Sequence, residues 1–339
     1  MEYPKCAICK NADSKQKNSH LIPSFIISRV CSYDGSGKRG KEVMITMTPY
    51  NYKVYLGALP DTKVEELFDT EKLTEERINS ELKINTSTKD YIFCYDCETK
   101  LSKYLETPYA ETISKGKNPN NFVSYFFWLS IVWRMSISKQ FYFSLPLEIE
   151  EKLGNCLHEY FNAIENNKEI APIVEQCPFC YKILHCSLPS SNINLYISGR
   201  TIGKNLFLTL GEFILCVKFD NEELSKKVDY FGLEEYLVSA PLNNGMQYEQ
   251  RIEIEKEIFT QAISKYIKRT AKIKLCNEKE KADAIWNKVG LVGTMPDEIF
   301  KAFMEKLYSE KVKLGDRKTD ERYQKLFNET LKEFEYIDI

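Results

Sequence analysis

Apolar residues recur at helical spacing in three stretches of this chain and at strand spacing in a fourth. Residues 122–137 hold the densest run, with Phe126, Phe127, Trp128, Leu129, Ile131, Val132 and Trp133 interrupted by Ser124, Ser130 and Arg134. That run is too short and too polar to span a bilayer, and it predicts a helix buried inside a protein. Residues 147–166 place Ile149, Leu153, Leu157, Tyr160 and Phe161 on one face of a second helix. Residues 194–198, 205–210 and 212–219 are β-branched and aromatic, separated by Gly199, Gly203 and Gly211, as in a small antiparallel meander. From residue 249 to the C-terminus helical periods return in Lys-rich and Glu-rich segments, with 290–296 as a break.

The first hundred residues are less regular. Pro23 with Phe25, Ile26, Ile27 and Val30 suggests a short helix, and Gly35, Gly37 and Gly40 mark a loop. Val43, Ile45 and Met47, then Tyr52, Val54 and Leu56, alternate as two strands, and the charged residues 61–84 read as an exposed helical insertion. Tyr91, Ile92 and Phe93 are expected to form a strand. A helix follows from Asp96 through Leu101, Tyr104 and Leu105, with Pro108 near its end.

Length and charge narrow the classes. At 339 residues the chain is long enough for two or three compact units, and a formal charge of −2 gives no chain-wide polybasic character. Residues 1–60 nevertheless carry nine basic side chains against four acidic ones. That excess either draws phosphates or is an ordinary solvated face. Eleven cysteines in a chain of this size, with no apolar leader after Met1, are expected to be reduced thiols in a cytoplasmic protein.

The cysteines carry the chemistry. Cys6 with Cys9 and Cys94 with Cys97 are two Cys-x2-Cys knuckles, the ligand spacing of a closed tetrahedral zinc site. His20 follows the first knuckle within Ser19-His20-Leu21-Ile22-Pro23. A second group, Cys177, Cys180, His185 and Cys186, with Cys156 and His158 on the preceding helix, could hold another ion or be buried thiols at a strand start. Cys31, Cys216 and Cys276 read as core thiols.

A knuckle, a histidine ending a short strand, and a second knuckle opening a helix resemble the zinc-containing HNH, or His-Me finger, nucleases. The strings Ser19 to Pro23, Cys97-Glu98 with Leu101-Ser102-Lys103-Tyr104, and Ser130-Ile131-Val132-Trp133-Arg134 are similar to those of bacterial HNH-like proteins, over roughly residues 1–140. The resemblance implies a zinc-stabilised ββα-metal unit over residues 1–115. With the residue pattern of the remainder, the expected fold is α+β, that unit followed by a mostly helical region with a small antiparallel sheet over 116–339 for recognition, docking or regulation. It implies structural Zn at Cys6, Cys9, Cys94 and Cys97, His20 as general base, and Mg or Mn held with the help of Glu98. Glu98 stands where the family usually has Asn or His, and Ser19 where it more often has Asp. The implied activity is hydrolysis of nucleic-acid phosphodiesters, DNA first, within a phage-defence role that would bring a protein partner and no membrane.

Other readings stay open at this point. The chain could be an inactive zinc-stabilised adaptor or sensor of a larger complex, or a nucleic-acid-binding regulator without hydrolysis. His20 could hydrogen-bond a backbone carbonyl, Glu98 could complement a helix N-terminus, and Trp133 with Arg134 could be core and a buried salt bridge.

Overall fold

The structure, a computed structural model, describes residues 3–26, 45–47, 52–54, 88–117, 120–139, 141, 143–187, 197–220, 224, 228–307 and 320–336. Two compact units emerge: Met1–Cys31 with Thr86–Ile263, and Ser32–Asn85 with Ser264–Ile339. The expected glycine loop at 35–40 and the helical insertion at 61–84 lie outside the described residues. The architecture is mixed α+β, rich in helix, with one small and mostly antiparallel sheet. Among the described residues no helix is long and apolar enough to cross a membrane.

In the first unit, β1 (Ser19–His20) pairs antiparallel with β4 (Thr88–Lys89), Ser19 opposite Lys89 and His20 opposite Thr88. Between them in sequence, β2 (Ile45–Met47) and β3 (Tyr52–Val54) form a separate antiparallel pair. The strand expected at Tyr91 to Phe93 is instead a bend. Tyr91 sits at φ 61, its N–H donating to the Gln16 carbonyl at 2.7 Å.

After the bend, α1 (Tyr95–Leu101) runs into a π-helical turn at Ser102–Glu106 and then α2 (Thr107–Ser114). Pro108 does not end this rod. A proline has no N–H to offer and its ring crowds the carbonyl four residues back, so the helix widens just before it. The Thr107 N–H reaches the Ser102 carbonyl, and the α-helix resumes.

The core is built around α3 (Asn121–Ser138), whose side chains from Ser124 to Met135 are all buried. A helix apolar on every face has to be enclosed on every face. The α4 helix (Leu147–Glu165) covers one side with Leu153, Leu157, Tyr160 and Phe161, and Phe126 stacks on Tyr160 at 4.0 Å. Gly154 permits that approach, since a Cβ there would lie 3.1 Å from the Trp133 ring. On another side Tyr109 stacks on Phe127 at 3.9 Å, and Trp128 meets Phe213 edge-on.

Past the short α5 (Ala171–Gln176), the sheet comprises β5 (Cys180–His185), β6 (Ile197–Ile202), β7 (Asn205–Leu210), β8 (Phe213–Lys218) and β9 (Ile252–Glu253), in the order β6-β7-β8-β5-β9. Gly203 at φ 61 and Gly211 at φ 62 make the two tight hairpins, as the sequence suggests. Gly199 is not a separator: it lies inside β6 opposite Leu208, where a Cβ would fall 2.4 Å from that leucine and 2.5 Å from Phe143. The edge strand β9 runs parallel to β5.

The short helix α6 (Glu234–Ser239) precedes β9, and α7 (Lys256–Lys288) follows it. In the second unit, α7 joins α8 (Asp297–Leu307) and α9 (Asp320–Glu333) around Trp286, Phe300, Phe303, Met304, Phe327 and Leu331. Within α7 no acidic residue occurs between Glu257 and Glu278, and Lys265, Lys268, Arg269 and Lys272 are exposed at i, i+3, i+4, i+7 spacing, opposite buried Tyr266 and Ile267.

Candidate metal centre

The first knuckle is a tight turn. Cys6 accepts from the Lys10 N–H at 2.9 Å, with Lys10 left-handed at φ 59, and the Cys6 N–H donates to Ala12 at 2.8 Å. The second knuckle opens α1: Cys94 is the N-cap residue, and its carbonyl accepts from the Glu98 N–H. The Ala7 N–H donates to Ile92 at 2.9 Å and Gln16 to Phe93 at 3.4 Å, tying the two knuckles together through the main chain.

These bonds bring the Sγ atoms of Cys6, Cys9, Cys94 and Cys97 within 4.8 Å of one another, a group that could hold a metal ion such as zinc. Zn–S bonds of about 2.3 Å in a tetrahedron set sulfurs about 3.8 Å apart. Cys9 and Cys94 are separated by 3.9 Å. The protonation pattern fits the same use. A hydrogen bond from Cys97 holds Cys6 well below the ordinary thiol range, that same bond and burial hold Cys97 far above it, and burial raises Cys94. A divalent cation would replace the shared protons and stabilise all four thiolates.

Beside this group lies a polar cluster. Buried Ser19 donates from Oγ to Glu98 Oε2 at 3.2 Å. Glu98 is half-buried in the first turn of α1. Burial raises its carboxyl above the usual range, Glu106 adds to the rise, and Ser19 and Arg134 oppose it. Arg134 is 1 % exposed and forms the ion pair that the sequence allowed, with Glu106 at 2.7 Å. Its Nη1 also donates to the His20 carbonyl at 2.9 Å. The His20 Nε2 is buried.

Thus Ser19, the His20 backbone, Glu98, Glu106 and Arg134 form one constellation behind the knuckles. Glu106 was not singled out in the sequence because its direction depends on the π turn. Among the described residues the four cysteines are the only group of three or more His, Cys, Asp or Glu side chains close enough to hold an ion.

The second cysteine group does not assemble. Cys177 shares a hydrogen bond with Cys156, and Cys180 points its Sγ at the Lys218 and Asp220 carbonyls, 3.6 and 3.7 Å away. His185, at the far end of β5, has Nδ1 2.6 Å from Glu253 and Nε2 3.5 Å from Glu212. The polar centre of this region is Glu249, 3 % exposed, which accepts from Tyr109 at 3.0 Å, Trp128 at 2.7 Å and Tyr181 at 2.8 Å.

Comparison with protein-family models, with curated proteins and with solved structures matches this chain to none of them.

Proposed function

We propose that the chain is a zinc-stapled, HNH-type endonuclease that hydrolyses nucleic-acid phosphodiester bonds. In this reading Cys6, Cys9, Cys94 and Cys97 hold structural zinc, His20 is the general base and Glu98 is a ligand for catalytic Mg²⁺ or Mn²⁺. The observation that carries it is the Ser19 hydroxyl 3.2 Å from Glu98, which joins the histidine strand to the helix of the cysteine quartet. A short antiparallel strand pair, a bend and then a helix in this region support the reading.

Arg134 fixes the strand backbone through the His20 carbonyl. A water oxygen forms the new bond to phosphorus, its proton passes to the imidazole, and the bond to the leaving oxygen breaks. A divalent cation at Glu98 would stabilise the charge that develops on the phosphoryl group. The basic face of α7 favours a polyanionic substrate. DNA and a protein partner in bacterial phage defence belong to the same proposal through the resemblance alone, and a cytoplasmic setting through the cysteine content.

One observation favours the reading as an inactive zinc-stabilised adaptor: the His20 Nε2 is buried, so general-base work requires the ring to turn toward solvent. Incubation of the zinc-loaded protein with plasmid DNA and Mg²⁺ or Mn²⁺ separates the two. Nicking that disappears in His20→Ala, with metal content and melting temperature unchanged, is the outcome expected of the nuclease. No nicking by the parent protein, or loss of zinc in His20→Ala, assigns the histidine a structural role.

A further inference from the structure

On the outer side of the first knuckle two tyrosines from distant parts of the chain meet. Tyr3 and Tyr91 have ring centroids 5.4 Å apart at 50°, and Tyr3 is 37 % exposed. Lys15 Nζ lies 5.7 Å from the Tyr3 ring centre and Lys17 Nζ 5.9 Å from that of Tyr91, and both lysines are exposed. Asp13, engaged by Lys5 at 2.9 Å, lies 3.9 Å from Lys15, and Asp90 accepts from the Asn18 N–H.

The backbone of Tyr91 says why the ring is informative. Its φ of 61 is unfavourable for a bulky residue, and it is imposed by main-chain needs: its N–H reaches Gln16, and its carbonyl accepts from Ser14 Oγ at 2.7 Å. Glycine or asparagine would meet those needs with less strain. What tyrosine adds is a ring on the surface, and strain of this kind gathers where a site uses it. The Gln16–Tyr91 bond lies on the same two chain segments as the β1–β4 pair, beyond the bends at Asn18 and Asp90. Lys17 and His20 are three residues apart in sequence, with Asn18 at φ 56 between them.

We propose that Tyr3 and Tyr91, with Lys15 and Lys17, form a stacking site for an unpaired nucleobase of a single-stranded nucleic acid. Bases stack on the aromatic rings without regard to sequence, and the two ammonium groups meet the adjoining phosphates. The site rests on the nuclease reading and deepens it by naming its substrate class.

The experiment is binding by fluorescence anisotropy to labelled oligothymidylate, oligouridylate and a DNA duplex, using zinc-loaded protein without added Mg²⁺ or Mn²⁺. Single strands should bind more tightly than the duplex, and comparing the two homopolymers distinguishes DNA from RNA. Tyr91→Gly and Tyr91→Asn should each weaken single-strand binding about tenfold while keeping zinc and thermal stability. Tyr3→Ala should act in the same direction. Unaltered affinity in the Tyr91 variants, no binding by the parent protein, or equal competition by inorganic polyphosphate at matched charge would overturn the stacking site. If the strand binds as expected but neither plasmid nor single-stranded DNA or RNA is cut with Mg²⁺ or Mn²⁺, the nuclease reading fails and this site stands. Cutting that is indifferent to Tyr91 gives the reverse.

Discussion

The two cysteine groups of this protein share a written signature and have opposite fates. Each begins with Cys-x2-Cys and has a histidine nearby. The first pair of knuckles lies on a tight turn and a helix opening, where consecutive residues can face one point, and a second segment 85 residues away supplies the matching sulfurs. The second group is drawn out along a strand. Cys180 and His185 are the ends of β5, about 16 Å apart and on opposite faces, so no ion can join them. Spacing names possible ligands; local backbone decides whether they converge.

The comparison extends to what holds each region. The knuckle region gathers four sulfurs that could hold an ion, whereas the sheet region closes over α3 and satisfies its own buried carboxylate through Tyr109, Trp128 and Tyr181. The largest effect should therefore come from Cys94→Ser. It should release one equivalent of zinc and unfold the knuckle region, since structural zinc sites couple about 10–16 kcal/mol of binding to folding. Cys180→Ser should leave metal content unchanged. Elemental analysis with circular dichroism reads both, and two zinc equivalents in the parent protein would break the comparison.

Next in size is Glu249→Gln. The Trp128 indole N–H and the Tyr181 hydroxyl both donate to one carboxylate oxygen, and an amide nitrogen there accepts from neither. Urea unfolding should show a loss of about 2–4 kcal/mol with zinc retained. The same variant tests a pH effect. Burial raises the Glu249 carboxyl above its ordinary 4.5, so the folded chain binds that proton more tightly than the unfolded one. Stability should fall as pH climbs from the ordinary value through the raised one, and Glu249→Gln should lack that decline. A matching slope in the variant would show that another group is responsible.

The smallest effect belongs to Cys177→Ser, which exchanges a buried thiol paired with Cys156 for a hydroxyl. It should cost about 1–2 kcal/mol by thermal unfolding and change the metal content not at all. Loss of zinc from this variant would join the two groups into one system.

Much of this was legible in the sequence where the signal is local. The enclosed helix α3 follows from a dense apolar run, and the hairpins at Gly203 and Gly211 follow from glycines between alternating strands. The quartet followed from ligand spacing. Glu249 was silent because its three donors come from residues 109, 128 and 181, distant in sequence and without any shared pattern. Glu106 was hidden by the π turn, which breaks the helical period used to assign faces. Tyr91 looked like a strand residue because an apolar aromatic between Asp90 and Ile92 carries no mark of a left-handed backbone.

That π turn also joins the two regions compared above. The rod from residue 95 to residue 114 carries Cys97 at one end and, through Tyr109, touches Glu249 at the other. One extra residue in a helical turn rotates everything beyond it by about 100°. The widened turn is therefore a phase adapter: it sets the cysteine end for sulfur geometry and the tyrosine end for the aromatic core, each independently clocked. A one-residue deletion there would leave both chemistries spelled correctly in the sequence and point one of them the wrong way.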